Sequence, residues 1–284
     1  AMGHKRSAEK MEALRARLVA GMVRNGIDEE AALRIFKQLA AFADFGFAES
    51  HAASFALLVY VSSYIKVYYP AVFYCAILNA QPLGFYTPST LIYEARHRGV
   101  KVMSVDVKKS LWDCTLENDR VRLGFRYIKS MGEAAKEKIE AELARGPFVS
   151  PADFVFRTRL DKDSLEQMAL TGAFRSFGLT RRQALWEMLA LANDSPELMA
   201  INPEEHGRRF LKPMIIGERL AADFKGMDLS TGPHPMQLIR EMLSQQNILS
   251  SLDLRRVPNK KVIRVAGMVI IRQRPMTAKG FMFL

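Results

Sequence analysis

The sequence predicts a mainly α-helical protein carrying small β elements, and three observations lead to that expectation. Apolar residues recur at three-and-four spacing through most of the first hundred positions. The period shortens to strand-like runs around residues 100–125 and again from Val262 onward. Elsewhere, short helical stretches alternate with turns built on Gly and Pro.

Residues 1–99 read as all-helical. Met11, Leu14, Leu18 and Met22 line one helix face, and Asn25-Gly26 is a stop signal. Asp28 is placed to cap a second helix whose apolar stripe is Ala32, Ile35, Leu39 and Phe42. In DFGFAESHAASFALLVYVSSYIK, residues 44–66, a short polar turn gives way to a long apolar run, with Ser50 positioned as the cap. That run is stopped by Ser62, Ser63 and Lys66, too short to span a bilayer, and reads as a buried core helix. Pro70 interrupts it, and Thr87-Pro88 opens a further helix that Gly99 closes.

Residues 100–125 form a β connector, with VKVMSVDV, WDCTLE and RVRLGF as short strands and Asn118-Asp119 as a hairpin turn. Residues 126–195 return to short helices, and residues 196–258 read as a helical linker broken at Pro213 and Gly232-Pro233-His234-Pro235. From residue 259 a β-domain begins, with VIRVAGMVII as its first strand.

At 284 residues the chain is long enough for one large or two to three small domains, and 49% hydrophobic content suits ordinary cores. The net charge of +11, from 41 Lys+Arg against 30 Asp+Glu, favours a polyanionic partner. Nucleic acid and an anionic membrane surface both satisfy that charge. Cys75 and Cys114 lie far apart among apolar residues, outside any CxxC, and read as buried free thiols of a reducing cytoplasm. The N-terminus lacks the apolar core of a signal peptide. His4, His51, His97, His206 and His234 are scattered without ligand spacing, so no metal site is expected. The opening AMGHKRS and closing FMFL look unlike natural termini, which suggests a piece of something longer.

Two segments carry candidate binding chemistry. IKSMGEAAKEKI, residues 128–139, resembles the first half of a helix-hairpin-helix, with Ser130 where a first glycine is usual and Met131-Gly132 completing the turn. Exposed backbone N–H groups beside a helix N-terminus make an anion nest that suits a DNA phosphate and ignores base identity. Lys129, Lys136 and Lys138 would add a salt-dependent attraction. In LTGAFRSFGLTRRQAL, residues 170–185, Gly172 and Gly178 permit tight turns and Thr180 can cap a helix, while Arg175, Arg181 and Arg182 supply charge. An ordinary αα-hairpin with solvated arginines is the alternative for either alone; two in tandem on a basic chain favour phosphate binding.

The order of these segments resembles the bacterial C-family DNA polymerases, polymerase III alpha type. FAESHAASFALLVYVSSYIK is nearest to their error-prone branch. The resemblance covers essentially the whole chain: the C-terminal part of the fingers, the tandem helix-hairpin-helix region, a linker with a Gly-x-His-Pro turn, and the first strands of an incomplete oligonucleotide-binding barrel. It implies template and incoming-nucleotide contacts on His4, Lys5, Arg6, Gly46, Phe47, Ser50 and His51. For His51, a helix-start histidine bonding a neighbour is an equal reading. In a completed barrel, Arg272, Arg274 and Lys279 would face single-stranded nucleic acid.

The resemblance also implies what lies elsewhere. Polymerase chemistry needs paired carboxylates holding Mg²⁺, and the family carries them in a palm domain N-terminal to everything here. No catalytic or cofactor residue is therefore expected on this chain, and Asp161-Lys162-Asp163 reads as a helix cap. Primer–template DNA is the expected partner, with dNTP and mutasome or replisome proteins as partners of the parent. NDSPELMA, residues 193–200, keeps Leu198 but lacks the Gln and Phe of a clamp-binding peptide, which puts sliding-clamp binding in doubt. Two other classes stay open: a non-catalytic interaction module, and a helix-hairpin-helix DNA glycosylase, for which Asp153 is the nearest available aspartate.

Overall fold

The computed structural model describes residues 8–45, 49–84, 86–193, 211–269, 272–274 and 281–282. The chain divides into two compact units, Ala1–Tyr68 and Tyr69–Leu284.

The first unit is built from helices α1 (Ala8–Arg24), α2 (Glu29–Phe45) and α3 (Glu49–Tyr68). Gly26, at φ +83°, makes the turn that lets α2 fold back on α1. The Asp28 carboxylate accepts the N–H groups of Glu30 (3.1 Å) and Ala31 (3.3 Å), capping α2 as the sequence predicts. The packed face of α2 is turned slightly from the expected stripe: Ala32 and Phe36 are buried, whereas Ile35 is 38% exposed.

α3 corrects two expectations. The helix starts at Glu49, so Ser50 lies within its first turn, and its carbonyl accepts the Ser54 hydroxyl at 2.9 Å. It is also not a buried core helix. Leu57, Tyr60 and Val67 are 65%, 70% and 65% exposed, since α1 and α2 pack on each other and leave α3 uncovered along its length.

The second unit opens with α4 (Pro70–Asn79) and α5 (Pro88–His97), with Pro at the first turn of both. A three-stranded sheet follows, of β1 (Val102–Met103), β2 (Thr115–Glu117) and β3 (Arg120–Arg122), in the order β1-β3-β2. β2 and β3 are antiparallel, Leu116 facing Val121, and β1 runs parallel to β3 with Val102 against Val121. Asn118 and Asp119 both take positive φ (48° and 57°), the conformation a two-residue hairpin of matching twist demands. The strand expected over VKVMSVDV is cut to two residues because Asp106 turns the chain: its carboxylate accepts Lys108 N–H at 3.0 Å and its carbonyl accepts Ser110 N–H at 2.7 Å.

Helices α6 (Glu133–Ala144), α7 (Pro151–Thr158), α8 (Lys162–Thr171) and α9 (Arg181–Asn193) pack around one apolar core with the sheet and α4. Phe148, Phe154 and Phe174 stack edge to face in its centre, with ring centroids 4.8 and 5.6 Å apart. Cys75 and Cys114 are free buried thiols in the same core, and burial pushes the Cys114 thiol up to about 12. α10 (Ile216–Met227) lies on α8, and α11 (Pro235–Gln245) follows, its N-terminus capped by His234 Nδ1 accepting from Met236 N–H at 3.2 Å. The expected barrel strand from Val262 is not formed among the described residues. A parallel bridge pairs Leu249 with Val265, and Val262 is 96% exposed. No helix among the described residues is long and apolar enough to cross a membrane.

Candidate nucleic-acid interface

The first hairpin joins a 3₁₀ turn at Phe125–Tyr127 to the N-terminus of α6. It is held on three sides. Lys129 N–H donates to the Gly226 carbonyl of α10 at 2.8 Å, and Lys129 Nζ pairs with Asp228 at 2.7 Å. The Ser164 hydroxyl of α8 donates to the Ser130 carbonyl at 3.0 Å. Met131 packs on the core. Ser130 sits at φ +66°, the left-handed conformation that the missing glycine would have supplied freely.

What this anchoring presents outward is bare backbone. Gly132 caps α6 with no side-chain hydrogen bond, and the first amide to bond back into the turn is that of Ala135, to the Gly132 carbonyl at 3.1 Å. The N–H groups of Met131, Gly132, Glu133 and Ala134 meet no protein acceptor among the described residues. A Cβ on Gly132 would touch nothing within 4 Å, and its φ of −101° demands no glycine. Neither packing nor φ requires glycine there. Four uncommitted donors at the positive end of a three-turn helix have the chemistry to accept an oxyanion. Lys136 and Lys138 flank it in part only: Lys136 pairs with Glu133 at 2.9 Å, and Lys138 donates to the Arg159 carbonyl at 3.0 Å at the end of α7.

The second hairpin is closed where the first is open. α8 ends at Gly172, at φ +84°, and a Cβ there would stand 3.1 Å from Arg181 Nε. Gly178, at φ +76°, ends the 3₁₀ turn Arg175–Phe177. Thr180 and Gln183 then form a reciprocal cap on α9: Thr180 N–H donates to Gln183 Oε1 at 2.9 Å, and Gln183 N–H to Thr180 Oγ1 at 3.4 Å. The expected charges divide sharply. Arg182 is committed to the Lys212 carbonyl and the Glu218 carboxylate, each at 2.7 Å. Arg181 Nη1 donates to the Arg219 carbonyl at 2.8 Å and lies 2.7 Å from the buried Asp223. Burial pushes the Asp223 carboxyl above its usual range, opposed by the Ser230 hydroxyl and by Arg181. Arg175 is exposed and has no side-chain hydrogen bond or ion pair among the described residues.

Sequence reasoning missed Arg219 of α10, which joins Arg175 and Arg181 around a shared cleft. It falls in a stretch that reads as linker, and no spacing signal marks it. Of the expected fingers contacts, His4, Lys5, Arg6, Gly46 and Phe47 lie outside the described residues. Ser50 and His51 are in the first unit on α3, where the His51 ring meets Phe55 edge to face at 4.5 Å. The clamp-peptide positions 194–200 and Lys279 also lie outside the described residues.

Two of the acids weighed in the sequence serve local hydrogen bonds and ion pairs. Asp161 caps α8, one carboxylate oxygen accepting Ser164 N–H at 2.8 Å and the other the Ser164 hydroxyl at 2.9 Å. Asp153 accepts Val149 N–H at 3.0 Å and pairs with Arg157 at 3.3 Å. Among the described residues, no group of three or more His, Cys, Asp or Glu is placed to hold a metal ion.

Residues 99–184 match the family described as a helix-hairpin-helix motif. The chain is 42% identical over 295 residues to the error-prone DNA polymerase of Anaeromyxobacter dehalogenans strain 2CP-C, covering 100% of this chain and 26% of that protein. It is 40% identical over 299 residues to the error-prone DNA polymerase of Aromatoleum aromaticum, covering 100% of this chain and 27% of the relative. The corresponding protein of Pseudomonas syringae pv. syringae is 40% identical over 283 residues, 96% of this chain and 27% of its own length. The chain thus spans about a quarter of the length of the curated relatives it matches. With two in five residues shared end to end, the chain is similar along its whole length to one segment of proteins named error-prone DNA polymerase.

Proposed function

We propose that this chain is the DNA-holding segment of an error-prone DNA polymerase, gripping primer–template DNA through its phosphate backbone without reading sequence. The observation that carries this reading is the open N-terminus of α6, where four backbone donors stand uncommitted on a rigidly anchored hairpin. Backbone amides recognise phosphate oxygens and are blind to bases. In the parent enzyme, residues 1–99 would serve as the C-terminal part of the fingers, with His51 and its neighbours near template and dNTP. Nucleotidyl transfer, its Mg²⁺ and its acidic ligands belong outside this chain, which is silent by itself. The parent acts in DNA replication, DNA repair and damage-induced synthesis in the cytoplasm, with replisome or mutasome proteins as partners.

The test is binding of fluorescently labelled primer–template DNA across a salt series. Affinity is expected to fall linearly in log–log form as salt rises, with a slope near −0.9 per phosphate contacted, and to be indifferent to sequence. Absent binding at low salt, or binding insensitive to salt, would leave the interaction module as the better reading. Nucleotide incorporation by the isolated chain with Mg²⁺ is expected to be undetectable.

A further inference from the structure

We propose that the cleft between the second hairpin and α10 is a second phosphoryl-oxyanion site, with Arg175 and Arg219 as its ligands and Arg181 as the residue that positions them. This rests on the DNA-holding reading above, and adds to it a site built from α10, which lies outside the helix-hairpin-helix match. Two adjoining hollows, of about 390 and 190 Å³, share Ser104, Arg175, Arg181 and Arg219 in their walls. Three guanidinium groups and one carboxylate, that of Asp223, line the smaller one.

Their roles differ. Arg181 is spent on the protein: it reaches Asp223 at 2.7 Å and ties the Arg219 backbone carbonyl at 2.8 Å. That bond fixes the start of α10 against the hairpin, and therefore fixes where the Arg219 side chain begins. Asp223 is further held by the Ser230 hydroxyl, so the carboxylate belongs to this internal lock. Arg219 feels the Asp223 charge at longer range, but neither it nor Arg175 makes a side-chain hydrogen bond or contact ion pair among the described residues. Their forked donors are open, and a doubly accepting oxyanion takes both sets while offsetting the positive charge gathered in the cleft. Gly178 leaves the rim open, because a Cβ there would meet nothing within 4 Å. The oxyanion is a phosphodiester of bound DNA or a free pyrophosphate, and the experiment separates the two.

The full chain and its Arg175→Gln, Arg219→Gln and doubly substituted forms are titrated with labelled duplex DNA over a salt series. If both arginines grip one phosphate, the double variant loses about 0.9 from the slope of log affinity against log salt. Each single variant then loses most of that, so the two losses are far from additive. Arg182→Gln, a charge already paired with Glu218, leaves the slope unchanged. Thermal melting with added pyrophosphate forms the second arm. Stabilisation of the wild-type chain that the double variant lacks, with DNA slopes unchanged, assigns the site to a free anion. Additive losses on DNA, or no change in either arm, overturn the proposal. Failure of the wild-type chain to bind DNA in a salt-dependent way overturns instead the reading on which it rests. Should the glutamine variants misfold by circular dichroism, Arg175→Lys and Arg219→Lys keep the charge and remove the fork. Weakened anion binding in those forms supports the site, and unaltered binding refutes it.

Discussion

Ser130 shows how much of the first hairpin depends on one backbone angle. At φ +66° it holds a conformation that costs an L-residue roughly 1–2 kcal/mol and glycine nothing. The turn is kept there by its neighbours: Ser164 holds the Ser130 carbonyl and Gly226 the amide of Lys129. Ser130→Gly removes the steric cost but frees the unfolded chain by roughly 0.4–1 kcal/mol, which offsets about half of the gain. Stability measured by urea unfolding is expected to rise, by no more than about 1.6 kcal/mol. DNA affinity is expected to rise, because a side chain just ahead of the open amides of residues 131–134 is gone. A fall in affinity would instead show that the Ser130 hydroxyl is itself a phosphate ligand.

At the level of elements, α10 ties the two hairpins together, bonding Lys129 of the first and Arg181 of the second. Gly226 is its point of closest approach: a Cβ there would stand 2.5 Å from Thr171 Cγ2 on α8. The same residue's carbonyl receives Lys129 N–H, so helix–helix packing and the first hairpin share an anchor. Gly226→Ala is expected to push α10 off α8, costing about 1–3 kcal/mol as overpacking does, and to weaken DNA binding by freeing the hairpin. Circular dichroism melts and DNA titration on the same sample check both, and undiminished binding would separate the hairpin from α10. Much of this level was legible in the sequence. Asp28, Thr180 and Asp161 cap the helices they were expected to cap, Thr87-Pro88 opens α5, and Asn118-Asp119 turns the hairpin, because caps and turns are local chemistry. The commitment of Arg181 and Arg182 to α10 was not legible, since Arg219 and Glu218 lie more than thirty residues away and only tertiary packing brings them together. For the same reason Arg219 carries no signal in the sequence, whereas the exposed amides at the start of α6 are what the hairpin pattern of residues 128–139 leads one to expect.

Over the whole molecule, apolar burial is unevenly shared. Every residue of the main core cluster falls between Ala71 and Leu229, including Tyr74, Phe125, Phe154 and Phe174, all 1% exposed or less. The first unit buries only Ala32 and Phe36 among its described side chains, while α3 leaves Phe55, Leu57, Tyr60 and Tyr64 about half exposed or more. Sequence periodicity could not foresee this: an apolar run reads as buried whether or not the surface that covers it is present. The imbalance makes a clear prediction about where stability and DNA binding reside. Residues 69–284 carry the sheet, both hairpins and α10 with a core of their own, so they are expected to fold cooperatively without residues 1–68. Their thermal midpoint should match the main transition of the full chain, because the contacts broken in that transition are the same. Their DNA salt slope should match as well, since the open amides of α6 and the arginine cleft are both retained. Calorimetry and the salt titration on the shortened chain measure these directly. A shortened chain that melts without cooperativity would show that α1 to α3 supply part of the core. One that folds yet loses salt-dependent binding would move the DNA grip from the hairpins to the first unit.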